Sequence, residues 1–432
     1  MNEHMTDRDF MLRAIALARR GEGWVNPNPM VGAVIVRDGR VIAEGWHHKY
    51  GELHAERDAL RALTEPAEGA TIYVTLEPCC HYGKQPPCTL AIIEHGISRV
   101  VIGSRDPNPL VAGKGVRMLR EHGITVVEDF MREECDALNP IFFHYITTGR
   151  PYVKMKYAMT ADGKIATKTG ASKWITSEEA RGLVHDWRNA CRGIMAGIGT
   201  VLADDPLLNC RKPGGRDPVR IICDSHLRIP EDAQIVKTAA EYETIVACAV
   251  PEAEGIDTKA QDIDQEDREA KLNENRLQDK RVNAERLPQE DIQAEAESLR
   301  QEDMRVNAES LQQQDIRAKA ERLRRQGIEV WSVPAQNGTV DLQELMRRLG
   351  KRGIDSVLLE GGGTLNESAL RAGIVQEVNA FVAPKIFGGQ AKSPVEGTGV
   401  EEPREALQMK IRQVRQVGPD LLITYCVTDG PK

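Results

Sequence analysis

No stretch of about 18 apolar residues occurs in the 432-residue sequence, which excludes an ordinary membrane-spanning helix. The N-terminal MNEHMTDRDF is polar and acidic and lacks the apolar core of a secretory signal. A surplus of positive charge is missing too. The net charge of −8 and pI near 5.8 argue against a nucleic-acid coat, while leaving room for a small basic pocket for one phosphate. A disulfide framework is also absent. The nine cysteines are an odd, scattered set, clustered only at Cys79, Cys80 and Cys88. That usage suits a reducing cytosol and one metal site. The expectation is a cytoplasmic protein that engages neither nucleic acid nor membrane.

The length is too great for one ordinary core and predicts two domains plus an extra segment. Residues 1–146 read as one α/β unit. Thr6 caps a helix reaching Arg20, with Asp9 three residues on and Gly21 as a stop. VGAVIV (31–36), an Asp38-Gly39 turn and RVIAEGW (40–46) read as a β-hairpin. A helix from about Leu53, the strand TIYVTL (71–76) and a helix after Pro87 follow. The strand RVVIG (99–103), the helix VRMLREHG and the strand ITVVE (124–128) complete a pattern that predicts a largely parallel sheet with helices on both faces. HYITTGRPYV (144–153) reads as the linker into a second α/β domain, 147–432. Its strand candidates are YVKMKYAM, RGIMAGIG, VRIICD, ETIVACAV, IEVWSV, SVLLEGG and DLLITYCV.

Residues 255–326 interrupt that domain with almost wholly charged and amide residues in a period-12 repeat. NAERLPQEDI, EAESLRQEDM, NAESLQQQDI and KAERLRRQGI start at 283, 295, 307 and 319, with Leu287, Leu299, Leu311 and Leu323 in register. Twelve residues advance a helix by about 1200°, about 120° beyond whole turns. The leucines therefore spiral instead of forming a coiled-coil seam. The last copy runs into IEVWSV as an ordinary helix would, so the segment reads as tandem duplication of that helix into a solvated spacer. A partner-binding or oligomerising arm is the alternative.

His54-Ala55-Glu56 sits at the start of a helix, and Pro78-Cys79 follows a strand, with Cys88 nine residues after Cys79. One imidazole and two thiolates give Zn2+ three ligands and leave a tetrahedral position for water, as a catalytic zinc requires. Glu56 then serves as the catalytic proton carrier. Zinc nucleobase deaminases share a general signature of His-x-Glu with a later Pro-Cys-x-x-Cys. Here Cys79 and Cys88 enclose eight residues instead of two. Cys80 is a rival ligand, but Cys79 is favoured because it directly follows Pro78.

VNPNPMVGAVIV, GWHHKYGELHAE and TLEPCCHYGKQPPC together resemble the deaminase half of the bifunctional deaminase–reductases of riboflavin biosynthesis, in which the long cysteine spacing recurs. The resemblance implies a diaminopyrimidinone ribotide substrate whose 2-amino group is replaced by oxygen. It makes His47 and Lys84 substrate contacts, Lys84 as a point charge for the phosphate. Asn26 and Asn28, between prolines, either hydrogen-bond the ring or simply form the turn.

In the second half, LLEGGGTLNES (358–368) reads as a strand entering a glycine turn and a helix whose N-terminus presents free N–H groups to phosphate. It is not the dinucleotide GxGxxG pattern. In order along the chain, KYAMTADGKIAT, SKWITSEEAR, VHDWRNACRGIMAGIGTVLADDPLLNCR, EGGGTLNESAL and APKIFGG resemble the reductase half of the same family. Taken together, the resemblance implies an N-terminal cytidine-deaminase-like α/β/α domain and a C-terminal dihydrofolate-reductase-like α/β domain. NADPH is implied as hydride donor, reducing the ribosyl group to a ribityl chain. Ala158, Trp174, Thr200, Asp204, Ser225 and the run Gly362, Gly363, Thr364, Leu365, Asn366, Glu367 and Ser368 are the implied cofactor contacts. Ser172, Arg188, Leu208, Arg211 and Glu360 are the implied substrate contacts, with the two arginines suited to phosphate. Trp174 has a core position as its alternative, and Asp204 a cap on the ADDP turn.

Two other readings stand beside this one: a nucleoside or tRNA deaminase fused to an unrelated reductase-like domain, and a scaffold with decayed sites. The sequence leaves open whether copies pair through a sheet edge or helix. Deleting about residues 258–318 is expected to leave both activities intact. Loss of soluble protein, or of either activity, on assay of the deletion would refute the spacer reading.

Overall fold

The computed structural model describes residues 5–82, 85–108, 111–249 and 314–428. These form two compact units, Met1–Ile222 with Leu342–Lys432, and Cys223–Asp341. Among the described residues no helix is long and apolar enough to cross a membrane, and all nine cysteines are free.

The first unit opens with helix α1 (Asp7–Ala18), where Thr6 and Asp9 form the expected reciprocal cap. A 3-10 turn, Arg19–Gly21, takes up the last residues of the predicted helix. The hairpin β1 (Gly32–Arg37) and β2 (Arg40–Trp46) turns at Asp38-Gly39. Helix α2 (Ala55–Arg61), β3 (Thr71–Leu76), α3 (Cys88–Glu94), β4 (Arg99–Ser104), α4 (Lys114–Glu121) and β5 (Thr125–Val127) follow. The sheet order is β2-β1-β3-β4-β5. Only β3, β4 and β5 run parallel. Strand β1 is antiparallel to both β2 and β3, so the sheet is mixed instead of largely parallel. The two-residue turn forces β2 to reverse on β1, and the sheet is parallel only where helices cross over between strands.

Alternation along the strands builds two cores. Ala33, Ile35, Ile72, Val74, Val100 and Ile102 face α2, α3 and α4. Val34, Tyr73 and Val101 face α1, where Phe10, Met11 and Ala14 meet them.

Helices α5 (Arg132–Asp136) and α6 (Pro140–Thr148) come next. The expected linker 144–153 is therefore helical to Thr148. Gly149, at φ 67° in the left-handed region, ends the helix, and the chain enters β6 (Tyr152–Thr160). Then come α7 (Glu178–Ala190), β7 (Gly193–Gly197), α8 (Ile198–Asp204) and β8 (Val219–Cys223). In the second unit β9 (Thr244–Cys248) pairs in parallel with β10 (Glu329–Ser332), and β11 (Ala335–Gln336) with β12 (Thr339–Val340) makes a small hairpin. Back in the first unit lie helix Leu342–Lys351, β13 (Ser356–Leu359), helix Gly363–Arg371, β14 (Glu377–Ala383), β15 (Met409–Val417) and β16 (Asp420–Val427). Its strands run in the order β8-β7-β13-β6-β14-β16-β15. The strands β7, β13, β6 and β14 are parallel, β16 runs antiparallel to β14, and β15 antiparallel to β16.

The repeat copies starting at 283 and 295, and most of the one at 307, lie outside the described residues. The copy at 319 belongs to a helix, residues 314–325, that buries Leu323 and leads into β10, as its sequence predicts.

Strands β14 and β15 are absent from the sequence reading. EVNAFVA carries Glu377 and Asn379 in buried positions, which hides its hydrophobic character. MKIRQVRQV is exposed over eight of its nine residues and carries basic and amide side chains. Glu377 is compensated locally. Asn379 Nδ2 donates to it at 2.8 Å, Tyr152 Oη at 3.4 Å and Arg412 Nη1 at 3.5 Å, with Lys154 Nζ at 3.9 Å. Glu377→Gln is expected to cost about 3 kcal/mol by leaving Lys154 without its counter-charge. Denaturant unfolding reads this; a wild-type midpoint would refute it.

Candidate active sites

The first site is assembled where β3 ends and two helices begin. A Cβ at Gly45 would lie 2.2 Å from the Ala59 backbone nitrogen. The absence of that atom lets α2 rest directly on β2. His54 is the N-cap residue of α2, and Glu56 lies in its first turn. Cys79 follows β3, and Cys88 opens α3, its backbone N–H donating to Cys79 Sγ at 3.4 Å.

His54 Nδ1 lies 3.5 Å from Cys79 Sγ and 3.4 Å from Cys88 Sγ. One donor atom from each of the three residues falls within 4.8 Å of the others. An imidazole and two thiols converging at this spacing fit a zinc ion and leave an open position. Cys80 is outside the cluster, as the sequence reading favoured. The Cys88 side chain's hydrogen bond holds the Cys79 thiol far down, at about 4, against the upward push of burial. Glu56 is buried, and burial pushes its carboxyl up to about 7.

A cavity of about 250 Å³ opens in front of these groups. His47 and Asn28 line it, with Asn28 Nδ2 3.2 Å from His47 Nε2. The other His47 nitrogen, Nδ1, meets the Leu53 carbonyl at 2.9 Å. Asn26 does not line the cavity, because its amide is turned to Asp355, 2.7 Å away. Lys84 lies outside the described residues. Sequence reasoning missed His81, Asp106, Asn108 and Phe142, all in the cavity wall. Burial pushes the Asp106 carboxyl up to about 6, while its Oδ1 accepts the Asn108 backbone N–H at 2.8 Å. The signal for this wall was DPN after β4, a turn at the same sheet edge as Cys79.

The second cluster sits at the end of β13. Arg188 and Glu360 make a two-pronged pair, Nε to Oε1 at 2.7 Å and Nη2 to Oε2 at 3.0 Å. Their side chains are only 11% and 13% exposed. Lys156 Nζ is 3.9 Å from Glu360 Oε2. Burial works to raise the Glu360 carboxyl, but Arg188 and Lys156 hold it at about 2. Burial, with Arg188 nearby, lowers Lys156 below the usual lysine range, and Glu360 opposes this. Lys156 was missed, although Lys154 and Lys156 alternate in a strand that otherwise reads as core, which is the signal that marks them.

Arg188 Nη1 donates to the Asn209 carbonyl at 2.9 Å, which brings the Leu208–Arg211 segment to the pair. Leu208 itself is buried. The Arg211 backbone N–H donates to His185 Nδ1 at 3.2 Å. Ser172 is half-buried between β6 and α7.

The implied cofactor residues divide. Gly362 is the N-cap residue of helix Gly363–Arg371, and a Cβ on it would sit 3.6 Å from Thr200 Oγ1. A helix N-terminus bare of side chain beside a hydroxyl fits a nucleotide phosphate. Thr364 is exposed, and Leu365, Glu367 and Ser368 are half-buried. Asn366 is wholly buried, its Nδ2 donating to the Pro394 carbonyl at 2.8 Å. Gly363 faces Ser393 O and Glu396, which a Cβ would meet at 2.8 and 2.5 Å. These two therefore seat the 393–396 loop. Trp174 is 60% exposed, which rules out its core alternative, and the Arg181 guanidinium lies 4.6 Å from its ring centre. The Ala158 methyl packs against the Val184–Phe381 cluster. Asp204 is the exposed last residue of α8. Ser225 lies in the second unit, its Oγ accepting the Val340 N–H at 3.1 Å.

A family model of the cytidine and deoxycytidylate deaminase zinc-binding region matches residues 4–104. That of the RibD C-terminal domain matches residues 151–274 and 288–423. The riboflavin biosynthesis protein RibD of Actinobacillus pleuropneumoniae is 47% identical over 424 residues, covering 98% of this chain and 96% of that protein. The RibD of Escherichia coli is 35% identical, covering 97% and 99%. A crystal structure from Thermotoga maritima, of a diaminohydroxyphosphoribosylaminopyrimidine deaminase/5-amino-6-(5-phosphoribosylamino)uracil reductase, superposes with a TM-score of 0.72. It is 34% identical and covers 97% of this chain and 98% of that one. This chain belongs to the RibD family. It is an enzyme of riboflavin biosynthesis with a deaminase and a reductase half, and zinc and NADPH are its cofactors. The RibD match to the second half sets aside the fusion to an unrelated domain.

Metal analysis tests the RibD zinc site here. The purified chain is expected to carry one zinc per chain, kept in Cys80→Ala and lost in Cys79→Ala and Cys88→Ala. Loss of zinc from Cys80→Ala alone would overturn the ligand assignment.

Proposed function

We propose that the Glu56 cavity hydrolyses 2,5-diamino-6-(5-phosphoribosylamino)pyrimidin-4(3H)-one. The Glu360 cluster then reduces 5-amino-6-(5-phosphoribosylamino)uracil. The observation that carries the reading is the buried Glu56 carboxyl beside three convergent ligand atoms. In this reading residues 1–146 serve the first reaction and 147–432 the second, with 255–326 as an insertion.

His54, Cys79 and Cys88 would hold zinc, which would supply the Lewis acid that makes water nucleophilic near neutral pH. Glu56, poised near 7, takes a proton from the attacking water and gives one to the departing amine. The pyrimidine gains oxygen at its second carbon and loses ammonia. Asn28, His47, Asp106 and Asn108, all in the cavity lining, hold the ring. Lys84 meets the phosphate.

Gly362 at the helix N-terminus and Thr200 would hold NADPH, which would supply the hydride of the second reaction. The ribosyl ring opens to an imine: the bond from its first carbon to the ring oxygen breaks, and the proton of the exocyclic nitrogen passes to that oxygen. Reduction of that imine would take one hydride at the first carbon and one proton at the nitrogen. Lys156, a buried cation with a lowered pKa beside Glu360, is placed to give that last proton. Glu360 accepts from the sugar, and Arg188 holds Glu360 in place. Arg211, exposed next to them, carries the phosphate; Ser172 and Leu208 complete the wall.

The reading extends to a cytoplasmic enzyme that binds neither nucleic acid nor membrane. Pairing of its copies is supported by the exposed Ile411 and Val414 on β15.

Ammonia release and NADPH oxidation followed together test the assignment. Glu56→Gln is expected to lower ammonia release by at least about 10²-fold. It should oxidise NADPH at the wild-type rate only when given the deaminated compound. A variant that still deaminates at the wild-type rate would remove Glu56 from the chemistry.

A further inference from the structure

We propose that Asn26 and Asp355 form a positioning pair through which the reductase half sets the wall of the deaminase cavity. This rests on the reading of the Glu56 cavity given above. Asn26 belongs to the loop that carries Asn28 and Pro29 into that wall. Its Nδ2 donates to Asp355 Oδ2 at 2.7 Å across 329 residues of sequence. Asp355 is buried. Its other oxygen accepts from Ser356 Oγ at 2.8 Å, and Arg216 and Arg192 are its neighbouring cations.

The loop's other anchors come from the deaminase half. Met30 exchanges hydrogen bonds with the Asn139 side chain at 2.8 and 2.9 Å, and Trp24 O accepts the Tyr50 N–H at 3.1 Å. Those bonds fix the two flanks; in the middle, the Asn28 N–H donates to Val25 O at 2.9 Å and its Nδ2 meets His47 Nε2 at 3.2 Å, while the Asn26 side chain is held by Asp355.

A second contact lies at Gly23, where a Cβ would fall 2.7 Å from Asn189 Nδ2. Asn189 follows Arg188 in α7 and accepts the Arg216 backbone N–H at 2.8 Å. Both contact points therefore belong to elements of the reductase site: α7 also carries Arg188, and Glu360 follows the strand that Asp355 precedes. A donor facing a buried carboxylate has few satisfied alternatives, because leaving the carboxylate unpaired is costly. The pair thus fixes where Asn28 stands against His47. Losing it weakens substrate binding without touching the proton transfer at Glu56.

Steady-state kinetics of both reactions, in the full-length chain, tests the pair. Asn26→Asp sets two carboxylates face to face. It should raise the deaminase KM about five- to tenfold, with kcat within about twofold, and leave NADPH oxidation of the deaminated compound unchanged. The double variant Asn26→Asp/Asp355→Asn exchanges donor and acceptor and should restore KM. If Asn26→Asp fails to fold, Asn26→Ala carries the same direction, by about threefold. An unchanged KM, an equal fall of both activities, or a double variant no better than the single one would each overturn the pair. Absence of ammonia release from wild type would refute the deaminase reading itself, and the pair with it.

Discussion

Strand β13 lies between β7 and β6 with all four of its residues buried, and both of its ends carry a carboxylate. At one end Asp355 faces Asn26; at the other Glu360 grips Arg188. A wholly buried strand cannot slip by a residue without moving every side chain to the opposite face. The two carboxylates are therefore held at a fixed separation by the least deformable part of the sheet. The reductase cluster is built directly on that strand, and the deaminase loop leans on its far end. The chemistry of each half depends on local geometry, but the Arg188–Glu360 pair and the Asn26 brace both meet this one strand.

Buried charge is the second shared feature. Glu360 with Arg188 and Lys156 contributes little net stability, because desolvation offsets much of the attraction. What the arrangement supplies is direction. The fork of Arg188 leaves Glu360 one orientation, and Lys156 sits where burial makes its proton easier to release. Glu56 illustrates the opposite case, since burial raises its carboxyl toward neutrality. One domain thus keeps a carboxylate charged by pairing it. The other makes a carboxyl protonatable by enclosing it.

Local pattern and side-chain chemistry made much of this legible in advance. His54, Glu56, Cys79 and Cys88 were recognisable because few residue types bind zinc, and strand–helix boundaries placed them at one sheet edge. The hairpin at Asp38-Gly39 and the strand TIYVTL follow from turn chemistry and alternation. Strand β14 was hidden because Glu377 and Asn379 are satisfied by partners distant in sequence, Arg412 and Thr424 among them. The Arg188–Glu360 pair was read as two separate ligand contacts, since nothing local indicates that residues 172 positions apart meet. Asn26 stood beside Asn28 in one motif, and only the fold separates a side chain that lines the cavity from one that braces it.

The described copy of the charged repeat is held by contacts particular to its place in the chain. Leu323 is fully buried, Arg322 pairs with Glu231 at 2.9 Å, and Arg324 Nη2 donates to the Val330 carbonyl at 3.2 Å. The two polar contacts need the 231 turn and the neighbouring β10. Lengthening a connection costs little, about 0.6 kcal/mol for each doubling. Duplication within the sequence before β10 therefore costs the fold little, provided the copy that enters β10 keeps Leu323 in the core.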